Sequence, residues 1–385
     1  MREQEEFHEI MIIGGGICGL ATALGLHRKG IKSVVLERSE TLRNTGAGIN
    51  IYLNGWHALD HLGVGDQLRA KSIHITDEEG LRCVKRRDLI DTLANSLPAE
   101  SIRFGCRVVA IETDPTTSFP IVHVADGRIL KTKVLIGCDG SNSIVARTLG
   151  LKPQNLLQTQ VVQGLTSYPN GHGLSNSFLH VWGDKLLVGR IPADEKSVFW
   201  FVTQEFNPKD LETRDDLRLV RDRTTEALRD YPARVIEMVK HCDIKTLSLH
   251  PIRYHAPWHL AFSDISKGTM TVAGDATHQM DPSMAQGGCS ALEDAVVLAR
   301  CLSREMPVGL SGCRASDQEM LERVGGALRR YARERRWRVV ILSTKSFLSG
   351  SLLCASWLKR FIFFVIFSKI LGGRFSHTQY DCGLR

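Results

Sequence analysis

The strongest constraint in this chain is a glycine turn set between two apolar runs. Ile10-Met11-Ile12-Ile13 leads into Gly14-Gly15-Gly16-Ile17-Cys18-Gly19-Leu20, and Val34-Val35-Leu36 ends in Glu37-Arg38. That order predicts a strand, a tight turn, a helix and a second strand. A dinucleotide needs these parts in this order. Gly14 permits the turn, Gly16 leaves room where a pyrophosphate approaches the backbone, and Gly19 lets the helix pack on the sheet. The phosphates then meet free N–H groups at the positive end of the helix dipole. Glu37, about twenty residues on, is placed to accept hydrogen bonds from ribose hydroxyls. A carboxylate there favours a free ribose over a 2′-phosphate, so the turn reads as FAD or NAD and not NADP.

Residues 8–37 form one β-α-β unit. Residues 45–54, with Gly46 and Gly48, read as a flexible loop holding a short extended piece. Leu89, Ile90, Leu93 and Leu97 recur at helical spacing within residues 86–97. Runs at 102–104, 108–112, 121–124 and 130–136 read as strands, with Asp126-Gly127 as a hairpin turn. After Gly150 the texture changes. Residues 159–165, 176–182, 186–191 and 198–203 read as successive antiparallel strands, and helices follow near 215–229 and 232–242. A buried strand returns at 269–273. This order implies a second domain inserted into a discontinuous first one. The expected boundaries are a first nucleotide-binding part at 1–154, an antiparallel-sheet domain at 155–265, a second nucleotide-binding part at 266–335 and a C-terminal helical tail at 336–385.

Composition excludes several classes. The chain has 385 residues, 24% of them charged, and a formal net charge of +7. Part of that charge is local, in Arg329, Arg330, Arg333, Arg335, Arg336 and Arg338, which reads as a solvated helix face, with attraction of an anionic cofactor or membrane surface as the alternative. No nucleic-acid motif accompanies it. The ten cysteines are scattered without a Cys-x-x-Cys pair, so no metal site is expected and a reducing, cytoplasmic setting is. The N-terminus carries no secretory or transit character. Near the C-terminus, Phe361-Ile362-Phe363-Phe364-Val365-Ile366-Phe367 is apolar but much shorter than the roughly 20 residues a span needs. It reads as a packed helix. Peripheral membrane contact through residues 351–371, with Lys359 and Arg360 at headgroup level, is the alternative.

Two further motifs end strands in carboxylates. Val134-Leu135-Ile136-Gly137-Cys138-Asp139-Gly140-Ser141-Asn142-Ser143 delivers Asp139 to the carboxyl edge of a sheet, where ligands bind in α/β folds. Gly140 turns beside a phosphate, and Ser143 is a helix cap. The third motif runs Val272-Ala273-Gly274-Asp275-Ala276-Thr277-His278-Gln279-Met280-Asp281-Pro282 and continues through Gln286-Gly287-Gly288-Cys289. Asp275 suits a polyol chain, and Gly287 and Gly288 open a helix whose N–H groups face an anionic ring. His278 is a candidate acid–base group. The alternative is a histidine packed beside a cofactor and satisfied by backbone. Trp182, Arg190, Trp200 and Phe201 are candidates to line a flat pocket, with core packing as the other role. A helix-start position such as that of Cys289 can lower a thiol pKa, but packing is the preferred reading.

In this order and spacing, the three motifs resemble the class A flavoprotein aromatic hydroxylases. That family includes p-hydroxybenzoate, salicylate and urate hydroxylases and zeaxanthin epoxidase. Ser167-Tyr168-Pro169-Asn170-Gly171 and the tail His377-Thr378-Gln379-Tyr380-Asp381-Cys382 resemble its plant monooxygenase 1-like branch. The resemblance implies an α/β fold: a Rossmann-like FAD-binding domain with an inserted antiparallel-sheet substrate domain, as in p-hydroxybenzoate hydroxylase, and C-terminal helices. It implies that Gly14, Gly16 and Gly19 hold the FAD pyrophosphate, and Glu37, with Arg38 beside it, the adenosine end. Arg86, with Arg87 as a neighbouring alternative, lies near the pyrophosphate. Asp139 and Gly140 serve FAD and NAD(P)H phosphates, and Asp275 the ribityl chain. Pro282, Gly287 and Gly288 sit at the isoalloxazine ring, and Gly46 and Gly48 belong to the loop around which it moves.

The implied reaction consumes NAD(P)H and O2 and oxygenates a small aromatic or conjugated apolar compound through a flavin C4a-hydroperoxide. A flavin-dependent reductase of the same fold, or an FAD-binding regulatory protein with uncoupled turnover, are the alternatives. The departures from the family are local. Arg147 is displaced by one position, Ala285 stands for a glycine, a change read as small, and residues 68–86 are shorter than the usual substrate cover.

Overall fold

Glu6–Ile13 is a strand buried at each of its last four positions, as a parallel strand covered on both faces must be. It pairs in parallel with Val34–Leu36 on one side and Ile129–Gly137 on the other. Ile102–Arg103 extends the sheet beyond Val34–Leu36, and Met270–Val272 extends it beyond Ile129–Gly137. The strands that open the three motifs, Glu6–Ile13, Ile129–Gly137 and Met270–Val272, therefore lie side by side and point the same way. A hairpin, Val108–Thr113 with Pro120–Val124, adds antiparallel to Ile129–Gly137. The computed structural model describes residues 6–42, 47–183, 186–306, 316–351 and 378–383.

Helix Ile17–Arg28 is buried from Ile17 to Leu26. Its sheet-facing side explains half of that, and helix Gly287–Glu305 covers the rest. The two helices meet closely: a Cβ on Gly25 would lie 2.9 Å from that of Ala299. Outside the pair runs the long helix Asp317–Ser351.

The second sheet is antiparallel, in the order Leu179–Trp182, Leu187–Asp194, Ser197–Glu205, Asn155–Ser167 and Ser248–Tyr254. Helices Leu217–Ala227 and Ala233–Lys240 cover its rear and close a second, smaller core around Trp200, Val202 and Leu249. Two glycines shape this sheet. The ring of Trp200 lies across Gly164 on the rear, where a Cβ would come within 2.7 Å of it. The ring of Phe201 lies across Gly189 on the front, where a Cβ would come within 2.2 Å.

Several expectations need correction. Ser248–Tyr254 is a strand that the periodicity did not reveal, because Pro251 interrupts it. The sheet tolerates the proline since this strand is at the edge and pairs only with Asn155–Ser167. The short extended piece expected within 45–54 is strand Gly48–Ile51, paired with Arg82–Lys85, but helix Leu53–His61, which begins inside that loop, was not expected. Trp56 locks that corner by donating from its indole nitrogen to the Ile51 carbonyl at 3.1 Å. The boundary expected at 335/336 falls inside one continuous helix, whose buried stripe Val324, Leu328, Tyr331, Arg335, Val339 and Leu342 carries on at helical spacing. Nor is its arginine cluster a solvated face throughout. Arg329 and Arg333 are exposed, whereas Arg335 is 1% exposed.

Among the described residues no helix is long and apolar enough to cross a membrane. Gly46 and the apolar residues 361–367 lie outside the described residues, as does all of 351–371 but its first position.

Candidate functional site

A cavity of about 1450 Å³ runs from the glycine turn to the front face of the second sheet. One-ligand pockets measure roughly 300–1,000 Å³, so this cavity has room for two. It has a nucleotide end, a middle and a sheet end.

The nucleotide end is built by backbone. Gly14 has φ +104°, and a Cβ there would lie 2.5 Å from the Cys138 carbonyl oxygen. Any side chain would push the first motif off the second. Gly19 is equally constrained from below, where a Cβ would meet the Gly14 carbonyl oxygen at 1.9 Å. Gly16 has nothing near its missing side chain and lines the cavity. Cys18 and Cys138 touch, sulfur to sulfur at 3.7 Å, and join the start of helix Ile17–Arg28 to the end of strand Ile129–Gly137. The Glu37 carboxylate accepts from the Gly15 N–H at 2.7 Å and the Ser39 N–H at 2.9 Å. Each oxygen keeps a further acceptor site.

Arg38, Arg86, Arg107 and Arg147 line this end. Arg87 does not: it is exposed and pairs with Asp91 along its own helix. Arg147 reaches the cavity despite its displaced position. Arg107 was invisible in the sequence, since no motif surrounds it. Asp139 and Gly140 line the cavity too. The Asp139 carboxylate accepts from the Ile144 N–H at 2.7 Å, its other oxygen is buried without a partner, and burial raises its pKa. Ser143 caps the helix that follows, as expected.

In the middle, Asp275, Pro282, Gly287 and Gly288 face the cavity. Gly287 and Gly288 begin a 19-residue helix, so their N–H groups have no intrahelical partner. A Cβ on Gly288 would lie 2.4 Å from the Ile49 side chain, which brings the helix start against strand Gly48–Ile51. Ala285 sits in the left-handed region at φ 48°. The exchange of glycine for alanine is thus not a small change: an L-residue there costs about 1–2 kcal/mol.

His278 requires a correction. It is 1% exposed and does not line this cavity. Its Nε2 lies 2.6 Å from an Asp294 carboxylate oxygen, so its partner is a buried carboxylate and not backbone. Burial alone would lower the imidazole pKa, but Asp294 outweighs it and the pKa rises. Asp294 also receives the Gly274 N–H at 2.8 Å and the Arg335 Nε at 2.6 Å. Arg335 in turn donates to Glu293 at 2.6 Å, which Arg338 and Asn54 also hold. Against the opposing effect of burial, His278 and Arg335 keep the Asp294 pKa at about 2. Tyr380, from the chain's last described stretch, closes the cluster with its ring 4.6 Å from the Arg338 guanidinium. The network therefore fixes the third motif to two helices from behind. Cys289 is fully buried and burial pushes its thiol up to about 12, so the helix start does not activate it.

At the sheet end, Phe178, Phe199 and Phe201 form the wall. Of the expected residues whose side chains are described, only Phe201 faces the cavity. Trp200 is buried in the rear core, where its indole donates to Thr166 at 3.0 Å, and Arg190 lies opposite it on the same face. The Trp182 side chain lies outside the described residues. Alternation along a strand explains the division: 199, 201 and 203 face forward, 200 and 202 back. The shortened stretch 68–86 is folded against the body. Ile75 and Leu81 are fully buried, the Thr76 N–H donates to the Asn176 carbonyl at 2.8 Å, and Glu78 lines the cavity.

Comparison with known proteins agrees with this geometry. A family model described as FAD binding domain matches residues 8–94 and 84–307. "Monooxygenase 1" of Arabidopsis thaliana is 44% identical over 97% of this chain and 98% of its own length. The chain belongs to the FAD-dependent monooxygenases. "Monooxygenase 2" of the same plant is 36% identical over 99% of both. The fold matches that of Klebsiella pneumoniae HpxO solved with FAD and uric acid, with a TM-score of 0.75 and 23% identity over 93% of this chain and 92% of that one.

The cradle suits FAD. A cavity-facing turn without side chains, an acceptor carboxylate at Glu37 and arginines around them match a pyrophosphate joined to a ribose. Asp139 keeps one buried oxygen unpartnered at the same place.

Proposed function

We propose that this monooxygenase uses NAD(P)H and O2 to oxygenate a small aromatic or conjugated apolar compound at the sheet end of the cavity. One observation carries the reading: the nucleotide cradle and the aromatic wall belong to one continuous cavity, with Gly287 and Gly288 between them. When bound, FAD supplies electron transfer from NAD(P)H and activation of dioxygen, chemistry no side chain offers.

The protein's own part is holding and shielding. Gly14, Gly16 and Gly19 shape the pyrophosphate seat, with Arg38 and Arg86 beside it. Glu37 takes the adenosine ribose, Asp139 and Gly140 the phosphates, and Asp275 the polyol chain. Gly48 and Pro282 border the ring. The N–H groups of Gly287 and Gly288 stabilise negative charge that develops there. His278 acts behind this set: paired to Asp294, it positions the third motif and moves no substrate proton. Phe178, Phe199 and Phe201 exclude water from the reacting ring. All eight described cysteines are free and buried, which suits the reducing cytoplasm.

Purified protein should be yellow, and a screen of aromatic compounds should find some that speed NAD(P)H oxidation. Labelled dioxygen should then appear in the product. A protein that retains FAD but never incorporates label, with any compound that speeds oxidation, is a reductase or an uncoupled oxidase.

A further inference from the structure

The charges along the cavity are segregated. Its arginines lie at the nucleotide end. Among the described residues, the sheet end presents no arginine or lysine, and its walls are three phenylalanines with Val161, Leu187 and Ile252. Of the two nearby carboxylates, Glu78 is committed, and Asp281 is held through one oxygen while the other is buried without a partner. Glu78 accepts from the Tyr52 hydroxyl at 3.0 Å. Asp281 accepts from the Ser283 N–H at 2.8 Å, and burial pushes its pKa up.

The wall has a measurable extent. His180 lies opposite Gly189, Gly189 opposite Phe201, and Phe201 opposite Gln163. This row crosses three strand spacings, or about 14 Å. Its centre is aromatic: the ring centroids of Phe178 and Phe199 each lie 6.3 Å from that of Phe201. Its two ends are polar, His180 on one side and Gln163 on the other. Thr203 stands one row away on the same face, opposite Val161.

Taking the sheet end as the substrate site, as above, we propose that it accepts an uncharged, flat compound of more than one fused ring. The compound lies on Phe178, Phe199 and Phe201, with Gln163, His180 and Thr203 meeting polar groups at its edges. A carboxylate buried there would find no arginine or lysine, only His180 at one edge, and a poorly paired buried charge costs several kcal/mol. An ammonium would find one carboxylate already bonded to a tyrosine and the other bound to a backbone N–H in a place where burial opposes charge. A single benzene ring would leave much of the wall uncovered.

The test is calorimetric binding to the FAD-loaded protein, with three probes of one ring system: 2-naphthol, its 3-carboxylate and its 6-aminomethyl derivative. Phenol is the fourth probe. We expect 2-naphthol to bind at least about ten-fold more tightly than each of the others. Equal or tighter binding of a charged probe or of phenol overturns the proposal, and so does the failure of all four to bind. Gln163→Arg should then raise the affinity for the carboxylate by about ten-fold, and Thr203→Arg repeats the test from a neighbouring row. FAD content checks that each variant is folded. If both folded variants leave carboxylate affinity unchanged, the assignment of this wall falls. Binding needs no turnover, so this outcome is separate from the oxygen-label experiment. Tight naphthol binding without label incorporation defeats oxygenation alone, and label incorporation into a carboxylate substrate with weak naphthol binding defeats the charge assignment alone.

Discussion

The two ends of the cavity are made in opposite ways. The nucleotide end is mostly backbone, drawn from short contiguous motifs, and its close contacts are between main-chain atoms. The sheet end is side chain, drawn from separate strands, and its close contacts are between rings and the glycines under them. A main-chain contact cannot give way, whereas a ring can turn. The first end is therefore intolerant of change, and the second is the place where specificity can vary without loss of the fold.

The sharpest way to break this contrast is to remove what holds the two ends together. Arg335→Met leaves Asp294 and Glu293 buried without their shared cation. It should cost about 3–5 kcal/mol in denaturant unfolding and release FAD. An unchanged midpoint would show that the network does not hold the third motif.

Gly14→Ala tests the rigid end. It combines a positive φ with a Cβ 2.5 Å from a carbonyl oxygen, and a loss of about 4 kcal/mol is expected, with loss of yellow colour. The pH dependence of stability tests the joint between the ends. His255 leaves the edge strand, donates its N–H to the Gln279 carbonyl at 2.8 Å, and is held down to about 4 by burial, with His278 and His259 adding. The folded state therefore favours its neutral form. Its contribution is present above the unfolded pKa of 6.5 and is lost as pH falls from there through about 4. That amounts to about 3 kcal/mol. Thermal unfolding across this window should show the loss, and His255→Gln should flatten it.

Gly189→Ala is the counterpart of Gly14→Ala at the adaptable end. Its Cβ meets only the tip of the Phe201 ring, at 2.2 Å. A ring displacement should cost about 1 kcal/mol, keep FAD bound and weaken aromatic ligands. If it proved as damaging as Gly14→Ala, the comparison would fail. The smallest effect expected is a gain. Ala285→Gly relieves the left-handed alanine and should add about 1 kcal/mol to stability by melting temperature.

The sequence was legible where the chemistry is local. The turn at Gly14 to Gly19, the acceptor at Glu37 and the strand ends at Asp139 and Asp275 all rest on residues within a few positions of one another. The choice of Arg86 over Arg87 needed the helix to be placed against the cavity. Ser248–Tyr254 escaped notice because an edge strand tolerates the proline that argues against a central one. His278 was misjudged because its partner, Asp294, lies in the next helix, and no spacing rule connects a short turn of helix to the far side of its neighbour.

By itself, the sequence determined the dinucleotide end, since each glycine there answers a backbone constraint set by its immediate neighbours. It determined the alternation of the second sheet as well. Only the tertiary structure decided which alternating face meets the cavity, because a shift of one residue exchanges Phe201 for Trp200. Only it turned Arg335 from a surface charge into a buried one. Arginines along a helix look alike in sequence, and the two carboxylates that distinguish Arg335 are supplied by a different helix, brought against it by packing.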